Sequence, residues 1–177
     1  MTEQVIISGF GGQGVMSLGQ ILAYGGMIEN KEVSWLPSYG PEMRGGSANC
    51  QVIVSDESIG MPLVPVASAV LAMNLPSLLK FEGIVEAGGK ILINSSLIEQ
   101  KAVRSDISAY YIPCNEIAAE LGNARVAGMV MLGAFLKLSG ILSIDAVVEA
   151  LKKVFGAKKA DLIPLNKAAL ERGAALV

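Results

Sequence analysis

Histidine is absent from the 177 residues, and with it the side chain that most often serves as a general base near neutral pH or as a metal ligand. Cysteine occurs twice, at Cys50 and Cys114. Two thiolates cannot by themselves hold an iron–sulfur cluster, which takes about four, and no Cys-x-x-Cys pair offers a redox or zinc site. Both cysteines therefore read as small buried residues in strands. If the protein takes part in redox chemistry, the electron carrier lies on another chain. Charge is sparse too, at 17% with a formal net charge of −2, and Lys and Arg are scattered. Without a basic stripe, nucleic-acid binding has nothing electrostatic to rest on. The most apolar stretch has only eleven uncharged residues between Arg125 and Lys137, well short of the ~20 that cross a bilayer. Met1-Thr2-Glu3-Gln4 enters a strand at once, with no basic n-region or apolar signal core. These absences predict a cytoplasmic protein without a nucleic-acid or membrane partner.

What is present is aliphatic. Apolar residues make up 52% and aromatics only 5%, so the core is built from Val, Ile, Leu, Ala and Met. This is the composition of a parallel sheet covered on both faces. The length suits one well-cored unit, 1–177, with no linker or repeat. The expected fold is a three-layer α/β/α domain with a mostly parallel, mixed central sheet. So high an apolar share also predicts surface that faces a partner, as in a subunit.

The organising stretch is the first βα turn. Val5-Ile6-Ile7-Ser8 reads as a buried strand, Gly9-Phe10-Gly11-Gly12-Gln13-Gly14 as a tight turn, and Val15 to Ile28 as a helix. Glycines let backbone N–H groups approach a ligand, and the helix N-terminus adds about half a positive charge at the same point. An anion or polar ligand suits it; the plainer reading is a turn whose glycines permit close packing of helix on strand. The spacing Gly9-x-Gly11-x-x-Gly14 also fits the dinucleotide fingerprint. That fingerprint wants an acid at the end of the second strand, roughly 20 residues on. The second strand, Val33 to Leu36, ends instead in Pro37-Ser38-Tyr39, and Glu29 and Glu32 come before it.

Further along, Ser47 to Val54 reads as a strand and Ile59-Gly60-Met61-Pro62 as a short return strand, which predicts antiparallel pairing in this part of the sheet. Ala69 to Met73, Lys90 to Ile93 and Ala109 to Cys114 read as buried strands, ending at Asn74, Asn94 and Asn115. In open α/β sheets ligands sit beyond the carboxyl ends of strands, so these asparagines stand where a polar ligand would be read. Asparagine is equally a good helix cap or turn residue. Helices are expected over Glu116 to Leu121, Arg125 to Leu142, from a Ser143 cap onward, and over about Pro164 to Ala175.

A second informative stretch is Tyr39-Gly40-Pro41-Glu42-Met43-Arg44-Gly45-Gly46. It sets an aromatic, a carboxylate and a guanidinium on one loop, and arginine suits bidentate binding of phosphate or carboxylate. A Glu42–Arg44 surface pair with Tyr39 packing the loop is the alternative.

Together the two stretches resemble the gamma subunit of the 2-oxoacid:ferredoxin (flavodoxin) oxidoreductases, most nearly of the 2-oxoglutarate or branched-chain type. The likeness extends through Met73-Asn74-Leu75-Pro76-Ser77, Asn94-Ser95-Ser96-Leu97-Ile98, Asn115-Glu116-Ile117-Ala118 and Leu121-Gly122-Asn123, and so runs the length of the chain. The resemblance implies a complex that oxidatively decarboxylates a 2-oxoacid, here expected to be 2-oxoglutarate, joins the acyl group to coenzyme A and reduces ferredoxin. It implies thiamine diphosphate and Mg²⁺ on alpha and beta subunits, and iron–sulfur clusters on beta or a ferredoxin-like delta subunit. This chain would be a required, non-catalytic subunit near the coenzyme A side of the site, with no cofactor tightly bound. The residues expected at that site are Gly9, Gly11, Gly12, Gln13, Gly14, Tyr39, Arg44 and Asn74. A regulatory module or dehydrogenase that binds a nucleotide or dinucleotide through the glycine turn is the competing expectation.

Overall fold

The computed structural model describes residues 1–38 and 47–177. Among these residues six strands form one mixed sheet: β1 (Thr2–Phe10), β2 (Glu32–Ser38), β3 (Ser47–Ser55), β4 (Ala67–Ala72), β5 (Val85–Asn94) and β6 (Ser108–Ile112). Their order is β2-β3-β1-β4-β5-β6. β1 pairs parallel with β4, β4 with β5 and β5 with β6, whereas β3 runs antiparallel to both β1 and β2. The α/β class and the mixed sheet follow the sequence, but the antiparallel pairs are those of β3 with β1 and β2, not of β3 with a return strand. Ile59–Pro62, expected as a return strand, is irregular chain; with Gly60 and Pro62 it has too few paired N–H donors and side chains to hold a ladder. β2 extends through Pro37, which an edge strand tolerates because only one of its sides is paired.

The helices are α1 (Val15–Ile28), α2 (Leu75–Phe81), α3 (Cys114–Glu120), α4 (Ala127–Ser139), α5 (Ile144–Phe155) and α6 (Ile163–Ala174). Cys114 therefore opens a helix and does not end the strand expected over Ala109 to Cys114. Strand alternation divides the core. Val5 and Ile7 face the side covered by α1 and α4, in one cluster with the buried α4 residues Val130, Leu132 and Phe135; Ile6 faces the opposite side, with Leu78 and Phe81 of α2. α4 is apolar all round because it is enclosed, and its backbone approaches that of α6. A Cβ on Gly133 would overlap the Leu170 carbonyl, and one on Gly173 the Val130 carbonyl. Ser143 caps α5, its hydroxyl accepting from the Ala146 N–H at 3.1 Å.

The connections fix where a ligand can sit. β1 passes through α1 on one face toward β2, and β4 passes through α2 on the other face toward β5. β1 and β4 are neighbours, so the chain leaves their carboxyl ends in opposite directions and opens a crevice there.

Candidate functional site

At that crevice the glycine turn is held shut by its own glutamine. The Gln13 Oε1 accepts from the Phe10 N–H at 2.6 Å, its backbone N–H donates to the Phe10 carbonyl at 3.2 Å, and its Nε2 donates to the Met73 carbonyl at 3.3 Å. A Cβ at Gly9 would collide with Gln13 Oε1 and with the Met73 Cβ, so only glycine leaves room for this arrangement. Gly12 (φ 94°) and Gly14 (φ 74°) adopt left-handed backbone, with open space around them, and Gly14 is the N-cap of α1. Among the described residues no side chain caps α1. Its first N–H groups have no partner within the helix and face outward with the positive end of its dipole.

Beside the turn lies a cleft of about 370 Å³ lined by Gly12, Gln13 and Gly14, by Met73 and Asn115, and by Ala124, Arg125, Ala127 and Gly128. A second hollow of about 260 Å³ shares Gln13, Gly14, Arg125 and Gly128 with it and continues between α1 and α6, past Phe155, Lys159 and Asn166. Arg125 is exposed and makes no ion pair among the described residues. It is held on a tight helical turn, Ala124–Val126, whose N-cap Asn123 accepts from the Arg125 N–H at 3.0 Å. One wall thus offers backbone N–H groups and the facing wall a guanidinium. Both are donors, and together they suit an anion or a group rich in acceptor oxygens.

The expected site residues separate here. Gly12, Gln13 and Gly14 line the cleft, Gly9 makes room behind it, and Gly11 is exposed in the turn. Asn74 is buried and caps α2, its Oδ1 accepting from the Ser77 N–H at 3.0 Å. It follows Met73 in the alternation of β4 and so points to the α2 side, away from the cleft. Tyr39 and Arg44 lie outside the described residues; the flanking Ser47 pairs with Phe10, beside the turn. Arg125 and Asn115 are the residues missing from the sequence-based set. Arg125 stands in the sequence only as the charged boundary of an apolar stretch. Asn115 is visible there as a strand-end asparagine, like two others.

The cysteines do not fit a metal cluster. Both are buried, one in β3 and one in α3, and burial pushes the Cys50 thiol up to about 12 and the Cys114 thiol up as well. Among the described residues no three Cys, Asp or Glu side chains come together as metal ligands, and no helix is long and apolar enough to cross a membrane.

Comparison with known proteins extends from this geometry to the whole chain. Ketoisovalerate oxidoreductase subunit VorA of Methanothermobacter thermautotrophicus is 40% identical over 173 residues, which are 97% of this chain and 35% of VorA. The chain thus spans about a third of that relative's length. The 2-oxoglutarate synthase subunit KorC of Methanocaldococcus jannaschii is 34% identical, across 85% of this chain and 82% of KorC. Among solved structures, 2-oxoglutarate:ferredoxin oxidoreductase from Magnetococcus marinus, with 2-oxoglutarate, coenzyme A and succinyl-CoA bound, superposes with a TM-score of 0.89 at 26% identity, over 99% of this chain and 31% of that one. The family model described as pyruvate ferredoxin/flavodoxin oxidoreductase matches residues 4–176, and with its glycine turn at the sheet's switch point the chain belongs to that family.

Proposed function

We propose that the chain is the gamma-type subunit of an enzyme that oxidatively decarboxylates a 2-oxoacid to its acyl-CoA and reduces ferredoxin, and that its cleft holds the acceptor-rich part of coenzyme A. The observation that carries this reading is the facing of α1's open N-terminus and Arg125 across one cleft. Coenzyme A is anionic at its phosphates and offers carbonyl oxygens along pantetheine, so a cleft with donors on facing walls suits it. The turn's N–H groups and Arg125 would bind and orient it. Tyr39 and Arg44 join the proposal on sequence grounds. Thiol acylation, decarboxylation and electron transfer would fall to thiamine diphosphate, Mg²⁺ and iron–sulfur clusters on partner alpha, beta and delta-type chains, since the cysteines and acids here do not fit them. Leu75, Leu79 and Leu97 are exposed on the α2 side and support docking onto larger subunits.

2-Oxoglutarate is the favoured substrate, supported by a relative that matches over most of its own length. The higher identity to a ketoisovalerate enzyme subunit supports a branched-chain 2-oxoacid as the second reading. The test is anaerobic recovery of the native complex, followed by coenzyme-A-dependent dye reduction with 2-oxoglutarate, 2-ketoisovalerate and pyruvate. In the assembled enzyme Arg125→Ala should raise the apparent KM for coenzyme A about tenfold and leave the KM for the oxoacid unchanged. A colourless chain recovered alone, without such activity, would overturn the assignment.

A further inference from the structure

The three asparagines expected at strand ends are not equivalent: Asn115 stands in the first turn of α3 instead, and with the buried Asn94 it forms a relay beside the cleft. Asn94, fully buried, follows Leu92 in the alternation of β5 and so points to the α1 and α4 side. Its Nδ2 donates to the Met73 carbonyl at 3.3 Å and to Asn115 Oδ1 at 2.8 Å. The Met73 carbonyl is the same one that receives Gln13 Nε2. A backbone carbonyl can only accept, so the Asn94 atom facing it must be its NH₂ group. That in turn fixes the oxygen of Asn115 as the atom turned toward Asn94. The cost is visible: Asn94 Oδ1 is buried with no partner among the described residues, an arrangement that is ordinarily disfavoured. Asn115 is placed independently, since Ser96 Oγ accepts from its backbone N–H at 3.1 Å and from that of Glu116 at 3.3 Å. Its Nδ2 has no protein partner among the described residues, and the residue lines the cleft.

We infer that Asn115 is a ligand-binding residue whose amide is turned by Asn94 to donate into the cleft, so that this point selects a group that can only accept, a phosphoryl or carbonyl oxygen. Asn94 is the positioning residue. Through the shared Met73 carbonyl it also ties Asn115 to Gln13 and hence to the glycine turn, so the donors on either side of the ligand are set by one buried amide. The identity of the ligand rests on the coenzyme A reading; the orientation of Asn115 does not.

Asn115→Asp is nearly isosteric. It keeps an oxygen for Asn94 to donate to, and replaces the cleft-facing donor with a second oxygen that also brings a negative charge. In the assembled enzyme it should raise the KM for coenzyme A at least about tenfold, with kcat at saturating coenzyme A, the KM for the oxoacid and subunit assembly unchanged. Asn94→Ala, which frees the amide to turn, should raise the same KM by a smaller factor. An unchanged KM in Asn115→Asp, in an enzyme that uses coenzyme A saturably, would overturn the inference. A wild-type complex that does not use coenzyme A would instead overturn the functional reading. The orientation is then decided by side-chain amide exchange in the ¹⁵N-labelled full chain: protected Asn94 NH₂ protons beside freely exchanging Asn115 NH₂ protons are expected, and the reverse pattern would overturn it.

Discussion

The two ends of the parallel strands are built from different chemistry. At the amino end charges close on one another. The N-terminal ammonium donates to Asp56 at 2.8 Å and Lys31 to the same carboxylate at 2.5 Å, while the buried Glu3 accepts from Ser68 at 2.5 Å and from Lys90 at 3.3 Å. At the carboxyl end, near Gln13, Asn94 and Asn115, the bonds run between neutral amides and carbonyls, and donors are left over. An ion pair consumes the capacity of both partners, whereas a primary amide can brace the fold with one side and present the other. Anchoring and binding are thus kept at opposite ends of the sheet, and a ligand does not compete with the contacts that hold β1 in place.

If that division holds, substitutions at the two ends should move different observables. The largest effect expected is on stability from Glu3→Ala, which strips Lys90 and Ser68 of a buried carboxylate. A cost of about 2 kcal/mol corresponds to a fall in Tm of roughly 4–8 °C for a chain of this size, with the KM for coenzyme A unaltered in the assembled enzyme. A shift in that KM would break the comparison. Gln13→Ala should do the converse, raising the KM for coenzyme A about tenfold (1.4 kcal/mol) as the turn loses its brace, with a smaller change in Tm measured by calorimetry. The smallest effect belongs to Asp56. Hydrogen bonds from Lys31 and the N-terminal ammonium lower its carboxyl to about 2. Its folded value lies below the unfolded one of about 3.9, so its contribution is present above that pH and is lost as pH falls through about 2. Because the group is fully exposed, the contribution is slight. An NMR titration should place the Asp56 midpoint near 2 and show it rise in Lys31→Ala; an unmoved midpoint would remove Lys31 as the cause.

The strands and helices were largely legible because their signals are local. A β-branched run marked β1 and a serine cap marked α5. Ile59–Pro62 misled because alternating apolar residues resemble a strand when the partner that would have to pair with them is unknown. The site was legible at the turn, where four glycines stand in six positions, and illegible across the cleft. Arg125 reaches it only through the path of α3 and the turn before α4. Asn74 and Asn94 differ in strand parity, Asn74 on the α2 face and Asn94 on the α1 face, while Asn115 already stands in the first turn of α3. A one-residue difference in where each strand ends decides this, and element boundaries are the least certain part of a sequence reading. Gly133 and Gly173 went unremarked for a similar reason, since the backbone each one touches lies on another helix.

Gln13 has a thermodynamic consequence. Many loops that close around anions lose conformational freedom at the moment of binding, and the affinity observed is reduced by the entropy of that ordering. Here a side chain three residues on already accepts from the Phe10 N–H and tethers the turn to the neighbouring strand, so the ordering belongs to folding. A guest at this turn meets a finished cradle. Its association need not wait for the loop, and its binding heat capacity should reflect the surface it covers rather than chain that has yet to fold.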